Sequence, residues 1–428
     1  MRHKSFSLAM IVFVFLFVSF FSLISPPQGS CAVIYQENYD MIMSPDLPNR
    51  EGLKVGNVIL HSALRSGVDF DSNIFYADQG EQSDTIAYVA PSFGIEVPIQ
   101  DSRLSVEYEA SMAFFNQSNE QDHTDHKVRG LLAINLTDFK VLIDDTYNRV
   151  TNRAGSTEVG TTGIRTREER NNVDVSVGAE FDKLAYRATY TNKIRRYLGE
   201  GQPLFGTMNY DDKNSVANIA DIEVDYAFFP KTTLLLEQTA GTITYDSSLV
   251  PDSYFYELLP GFKSEWTNKL KMDMRLGGRY QDYSSSDLVY DENFFGVVGR
   301  GQVDYKLTDD DTFTLTAERS VRESIYQNVN YYVANSAGIA YAHKFNDKLT
   351  SNLLFGWQMN TYPTQTTENG LTATRRDHIY RSGFSLRYEP QNWLAFEAGI
   401  EHRVRKSIKF PTLDYTDNVA SFQATVGF

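Results

Sequence analysis

The chain has 428 residues, 42% of them hydrophobic, and a formal net charge of −15. This acidic balance excludes nucleic acid as the expected partner, because phosphate neutralisation needs basic residues. The single cysteine excludes a disulfide framework and a cysteine-ligated metal centre. No linker or change of composition divides the chain, so one large domain is expected.

Residues 1–32 have the pattern of a secretory signal peptide. Basic residues at the start precede an apolar core over residues 8–24, and small residues lie before Ala32. We expect cleavage after Ala32. Two alternatives remain open: a retained anchor helix, for which the apolar core is at the short limit, and a lipoprotein modified at Cys31.

Residues 33–56 contain Pro45 and Pro48 and show no hydrophobic period. They are expected to form an irregular periplasmic segment, either disordered or folded back into the lumen of the domain that follows.

Residues 57–428 repeat one pattern, in which apolar and polar side chains alternate along the chain. Over residues 104–114, for example, Leu104, Val106 and Tyr108 alternate with Glu107 and Glu109. A period of two with carboxylates on one face indicates strands with one apolar face and one wet face. About 18 such segments of roughly 10 to 16 residues predict an all-β fold, a transmembrane antiparallel up-and-down β-barrel.

The connections between these segments alternate in length. Short turns at 137–138 and 182–183 alternate with longer polar loops such as 70–83, 152–170 and 362–376. Short periplasmic turns, long extracellular loops and an even strand number are typical of barrels in the outer membrane of a Gram-negative bacterium. Both termini are therefore expected in the periplasm.

Aromatic residues are concentrated where the predicted strands end, as expected for belts at the two bilayer interfaces. The predicted belt at the short turns is Phe139, Phe228, Phe229, Trp266, Tyr305, Phe313, Phe345, Tyr388 and Trp393. The predicted belt at the long loops is Tyr147, Tyr197, Tyr245, Tyr254, Tyr283, Phe294, Tyr332, Trp357 and Tyr380.

The polar faces of the strands carry many charged residues, which argues for water inside the barrel. We hypothesise an acidic periplasmic half and a more basic mouth, at Lys193, Arg195, Arg403 and Arg405, that would draw an anionic chain outward. The alternative is that the charges pair across the lumen and brace the wall. The predicted lumen-facing residues are Glu107, Glu109, Asp174, Glu180, Arg187, Arg195, Asp221, Glu223, Asp225, Arg275, Arg279, Glu397, Glu401, Arg403 and Arg405.

No complete catalytic or metal-binding set is present in the sequence. His123 and His126 share a loop without a further ligand, and Asp71 and Asn73 have calcium-loop spacing, but Ile74 occupies the position of the turn glycine. We expect no enzyme, no metal and no cofactor.

The first predicted hairpin carries a specific pattern: Ser66-Gly-Val-Asp-Phe-Asp-Ser-Asn-Ile-Phe75, then Ser83-Asp-Thr-Ile86 and Val89-Ala-Pro-Ser-Phe93. It resembles the opening of a family of β-barrel porins encoded with exopolysaccharide export systems in Gram-negative bacteria. The resemblance implies a protein that helps an exopolysaccharide or capsule chain leave the cell, with periplasmic export proteins as partners. The motif residues are Asp71, Asn73, Ile74 and Phe75. A purely structural role for them would be turn hydrogen bonding and loop packing.

The last predicted strand, residues 417–428, ends on Phe428. It is expected to pair with the first strand, and Phe428 resembles the aromatic terminal signal that barrel assembly machinery recognises. Outer-membrane lipid and lipopolysaccharide are the other expected partners. The sequence predicts an export conduit; a general diffusion porin and a structural or adhesion barrel acting through its loops remain the alternatives.

Overall fold

The computed structural model describes residues 52–152, 165–198, 203–205, 208–284, 293–324, 329–368 and 370–427. The predicted signal peptide, most of the segment 33–56 and the predicted assembly signal Phe428 lie outside these residues. In the described part of the chain, no helix is long and apolar enough to cross a membrane.

Eighteen long strands form one closed antiparallel barrel, as the alternating pattern predicts. Each strand pairs with the strands before and after it in the chain. The barrel strands are β1 (Val58–Asp71), β2 (Asp84–Ile99), β3 (Ser102–Phe115), β4 (His123–Asn135), β5 (Phe139–Asn152), β6 (Thr166–Phe181), β7 (Leu184–Tyr197), β8 (Ser215–Phe229), β9 (Thr232–Tyr245), β10 (Ser253–Thr267), β11 (Leu270–Tyr283), β12 (Phe294–Lys306), β13 (Asp311–Glu323), β14 (Tyr331–Asn346), β15 (Leu349–Glu368), β16 (Leu371–Gln391), β17 (Leu394–Ile408) and β18 (Tyr415–Gly427).

The barrel closes where the last strand meets the first. β18 pairs with β17 and also with β1, from Ala63↔Gly427 to Asp71↔Val419. This seam leaves neither edge of the sheet unpaired, which a lipid environment requires because it offers backbone groups no other hydrogen-bond partner. The last residues of the segment predicted to be irregular form a short strand, Leu53–Val55, that folds back on the start of β1.

The two ends of the barrel differ. At one end, the short-turn end, strands are joined by tight turns such as 182–183; at the other, the long-loop end, loops such as 72–83 connect them. The prediction of an irregular loop at 362–376 is wrong, because β15 and β16 continue as a paired hairpin up to Glu368↔Leu371. Threonine and glutamine occupy both faces of that extension, so it gives no alternating signal.

The two faces of the wall have opposite character. Leu236 and Leu258, at 44% and 49% exposed, are typical of the apolar outer face. On the other face, Arg65 of β1 reaches Glu109 of β3 at 2.9 Å, and Arg300 of β12 reaches Glu237 of β9 at 2.6 Å. Side chains meet across intervening strands in this way on the concave side of a curved sheet, so the charged face is the barrel interior.

The aromatic belt at the short-turn end follows the prediction, and Trp266 and Phe345 there are 69% and 55% exposed. The belt at the long-loop end is sparser than predicted. Tyr254 and Tyr380 are exposed, whereas several other rings are buried on the interior face: Tyr283, Phe294 and Tyr332. The predicted belt at this end is wrong for those rings, because position along a strand fixes a ring's height but alternation fixes its face.

Candidate functional site

The interior of strands β8–β12 carries a buried ion network centred on Arg275. Its guanidinium donates to Glu223 at 2.5 Å and also to Glu237, and all three side chains are less than 10% exposed. Glu223 accepts further bonds from Arg187 at 2.5 Å and Lys263 at 2.8 Å. Each buried carboxylate therefore has more than one cation beside it, as buried charges require.

A second buried network lies on β16 and β17 near the long-loop end. Asp377 accepts from Arg375 at 2.5 Å, Arg405 at 3.0 Å and Ser407 at 2.6 Å. Arg375, Asp377 and Arg405 are at most 1% exposed. These contacts are those of charges that brace the wall, so Arg405 contributes no open cation to the mouth.

Arg403 has a similar environment. It donates to Glu401 and, at 2.7 Å, to the Tyr76 hydroxyl, and its exposed fraction is 4%. Tyr76 in turn stacks on Tyr415 of β18, with ring centroids 4.3 Å apart. Arg403 therefore ties the loop after β1 to the seam of the barrel.

The other predicted interior residues have partners on neighbouring strands. Glu401 also pairs with Arg381 at 2.7 Å. The remaining contacts are Glu109 with Arg65, Asp174 with Thr191, Glu180 with Lys140, Arg195 with Glu168, Asp221 with Thr239, Asp225 with Lys263, Arg279 with Glu257 and Gln281, Glu397 with Gln423, and Glu107 across from Arg129 in the β3–β4 ladder.

The exposure of these ion pairs is uneven around the barrel. On β4–β7 the cation of each pair is the more exposed partner: 46% against 20% for Arg129 and Asp144, 50% against 34% for Lys140 and Glu180. The same holds for Arg187, at 46% against 4% for Glu223. Cations therefore face the open interior on this wall, and their carboxylates lie behind them.

These exposed cations follow the wall from one end of the barrel to the other. We define the cationic track by its members, in order from the short-turn end to the long-loop end: Lys140, Arg187, Arg129, Lys193 and Arg195. On β12, Arg300 is 40% exposed beside Glu237 at 8%. The period of two could have found Glu237 and Arg300, since it places both on the interior face, opposite to the outward Leu236 of β9 and Val297 of β12, but neither is among the predicted interior residues.

The motif after β1 forms the loop that covers the seam. Asn73 and Asp71 are completely buried, and the Asn73 amide nitrogen donates to Ala77 at 2.8 Å and to Thr416 of β18 at 3.0 Å. The Asn73 backbone N–H donates to the Asp71 carboxylate at 2.9 Å. Ile74 packs on interior apolar residues, with Phe75 beside it. These contacts are those of an Asx turn and a packed loop.

At the long-loop end of the barrel, the end of β13 and the start of β14 pack against the interior of β11 and β12. Tyr331 stacks on Tyr283 with centroids 5.7 Å apart and meets Phe294 edge-on at 5.5 Å. Lys213, in the loop before β8, donates to the Ser324 carbonyl oxygen at 2.9 Å. These contacts hold the ends of β13 and β14 against the interior face of β11 and β12.

The candidate metal ligands do not converge. In the described residues, no three histidine, cysteine or acidic side chains are grouped to hold a metal ion. His123 bonds the Gln121 carbonyl oxygen, whereas His126 bonds the Tyr108 hydroxyl and lies on the opposite face of β4.

The family model described as putative beta-barrel porin 2 matches residues 48–428. The chain belongs to this family. The chain is accordingly an outer-membrane, porin-like β-barrel. No curated protein matches it.

Several solved structures are similar to the porin at low identity. OpdK from Pseudomonas aeruginosa, solved with vanillate, is 11% identical, with 86% of this chain and 99% of that chain covered and a TM-score of 0.49. A mutant of the ferric enterobactin receptor PfeA from the same species is 11% identical, with 86% and 80% covered and a TM-score of 0.47. OccAB3 from Acinetobacter baumannii is 9% identical, with 87% and 100% covered and a TM-score of 0.46.

Proposed function

We propose that this porin is a passive channel for anionic hydrophilic solutes, and that an acidic exopolysaccharide or capsule chain leaving the cell is its substrate. The short-turn end and both termini face the periplasm in this proposal, as in other barrels with this loop asymmetry. The family is one of porins rather than enzymes, so transport without chemistry is the activity to test.

The cationic track carries the proposal. An 18-stranded barrel is wide enough for an aqueous channel unless it is filled. The interior of β16–β18 is filled by buried pairs such as Arg405 with Asp377, but Arg129, Lys140 and Arg187 on the opposite side stay close to half exposed. Water therefore reaches that wall, and a solute moving along it meets positive charges first.

A row of separated cations matches an extended anionic chain better than a single binding site would. Conduction requires binding that is strong enough for entry and divided over several weak sites for release. The track offers such sites from Lys140 near the short-turn end to Arg195 near the long-loop end. The substrate class itself follows from the resemblance of the first hairpin to porins encoded with export systems.

Reversal potentials in planar bilayers test the anion preference. Parent protein in a salt gradient should show anion selectivity, and Lys140→Gln combined with Arg187→Gln should move the reversal potential toward cation selectivity. Glu223 keeps Arg275 and Lys263 in that variant, and Glu180, which loses Lys140, is already one-third exposed to water. The matched control is Arg149→Gln with Lys406→Gln, which removes two charges from the outer face of β5 and β17.

Adding the host polysaccharide to one side separates the substrate alternatives. Transient block of the current by the acidic polysaccharide, lost in the track variant, supports export. Anion selectivity without any block would instead indicate a diffusion porin for small solutes. A refolded barrel that never conducts would contradict the channel proposal and favour a structural or adhesion barrel that acts through its loops.

A further inference from the structure

A groove at the short-turn end lies outside the interior pathway. It is formed by the turns β8–β9 and β10–β11 and the end of β12, and its volume is about 650 Å³. The residues that line it and carry the argument are Lys231, Trp266, Asn268, Lys269, Leu270 and Tyr305.

The two lysines of the groove face neutral oxygens. The Lys231 ammonium bonds the Asn268 side-chain oxygen at 3.3 Å, and the Lys269 ammonium bonds the Leu307 carbonyl oxygen at 2.9 Å. The neighbouring Lys271 and Glu265 form a pair with each other at 2.6 Å. The groove therefore carries a net positive charge from two ammonium groups.

The apolar lining of the groove continues the outer face of the barrel. Leu270 pairs directly with Tyr305 across β11 and β12, so the two side chains lie on the same face of the sheet. Trp266 is 69% exposed and Tyr305 41% exposed. Amphipathic rings at this height mark the bilayer interface, and lysines there extend toward lipid headgroups.

We propose that this groove binds one anionic phospholipid, such as phosphatidylglycerol. Its phosphate lies between the Lys231 and Lys269 ammonium groups, the Asn268 amide donates to the headgroup, and an acyl chain runs along Trp266, Leu270 and Tyr305. Basic pockets beside apolar membrane-facing surface recognise lipid phosphates by this combination of charge and burial. The site rests on the proposed orientation, in which the short-turn end meets the phospholipid leaflet.

Tryptophan fluorescence tests the site directly. The chain has three tryptophans, so Trp357→Phe with Trp393→Phe leaves Trp266 as the reporter at the groove. In reconstituted vesicles, brominated phosphatidylglycerol should quench Trp266 at a mole fraction about tenfold lower than brominated phosphatidylcholine, because two lysines at the membrane surface attract the anionic headgroup; tenfold corresponds to about 1.4 kcal/mol.

The preference should disappear in Lys231→Gln with Lys269→Gln and persist in Lys231→Arg with Lys269→Arg. The matched control is Lys183→Gln with Lys344→Gln, which removes one charge from the turn at 182–183 and one from the end of β14 at the same rim and should keep the preference. Equal quenching by both lipids in the parent, or a preference that survives the glutamine pair, would overturn the proposal. So would displacement of the lipid by inorganic phosphate alone.

A measurement of the reversal potential distinguishes the lipid-binding groove from the channel. The glutamine pair at the groove should leave the reversal potential unchanged, because neither lysine belongs to the cationic track. Loss of lipid preference with normal selectivity therefore tests the groove, and loss of selectivity with normal lipid preference tests the channel.

Discussion

Asn73, in the loop after the first barrel strand, donates a 3.0 Å hydrogen bond from its side-chain amide to the Thr416 carbonyl oxygen of the last strand. The same amide donates to the Ala77 carbonyl oxygen, and its oxygen accepts from the Ala77 N–H, both at 2.8 Å. One buried side chain therefore satisfies backbone groups on both sides of the seam.

Asn73→Ala should destabilise the seam loop by about 1 to 3 kcal/mol, because it leaves buried donors and acceptors unpaired. Reversible urea unfolding in detergent micelles and protease cleavage within residues 72–83 measure this. Asn73→Asp is the graded comparison, since it keeps the acceptor for Ala77 and loses the donors. Identical unfolding midpoints for Asn73→Ala and the parent would contradict the assigned role.

Arg275→Met should lower the unfolding free energy by about 1.5 to 3 kcal/mol, because the buried Glu223 and Glu237 each lose a charged donor while Lys263 and Arg300 still face them. Arg129→Met is the control: its pair with Asp144 is exposed, so the expected loss is within about 1 kcal/mol. Guanidinium unfolding of both refolded variants gives the comparison. Equal losses in the two would mean that burial does not govern these pairs.

Tyr331→Ala should raise single-channel conductance. The Tyr331 ring holds the β13–β14 end against Tyr283 and Phe294 inside the mouth, and its removal lets that end move outward. Tyr380→Ala removes a ring from the outer belt and should leave conductance at the parental level. A narrower or unchanged channel in Tyr331→Ala would show that the hairpin end does not limit the current.

Deletion of Phe428 should reduce the amount of assembled porin at the cell surface more than it reduces the conductance of each assembled molecule. The reason is that an aromatic terminal residue resembles the signal read during barrel assembly. Heat-modifiable mobility of outer-membrane fractions measures assembly, and planar bilayers measure conductance. Phe428→Tyr, which keeps an aromatic ring, should assemble normally; parental surface levels after deletion would refute the role.

The strand number and the two faces of the wall are predictable because each transmembrane strand must place lipid-facing and interior side chains alternately. Leu236 and Glu237 are an example, because these neighbours in sequence point to the outer face and to the interior, respectively. The β15–β16 extension was not predictable in this way, since polar residues such as Thr366 and Thr372 occupy both of its faces.

The interior pathway was only partly predictable. Alternation places Arg129 and Arg405 on the same face of the wall, yet the first is half exposed and the second is buried against Asp377. That difference depends on which strands and loops meet across the barrel, and local sequence carries no such information. Of the hypothesised basic mouth, Arg403 and Arg405 are buried, whereas Lys193 and Arg195 stay accessible as members of the cationic track along β4–β7.

The seam between β1 and β18 also constrains the order of events in biogenesis. β1 pairs on one edge with β2, the next strand in the chain, but its other edge has no partner until β18 is available. Until then the growing sheet has two free edges, each a template for wrong pairing with another chain. A chain truncated before residue 415 lacks β18, so β1 and β17 would each keep an unpaired edge and the ring could not close.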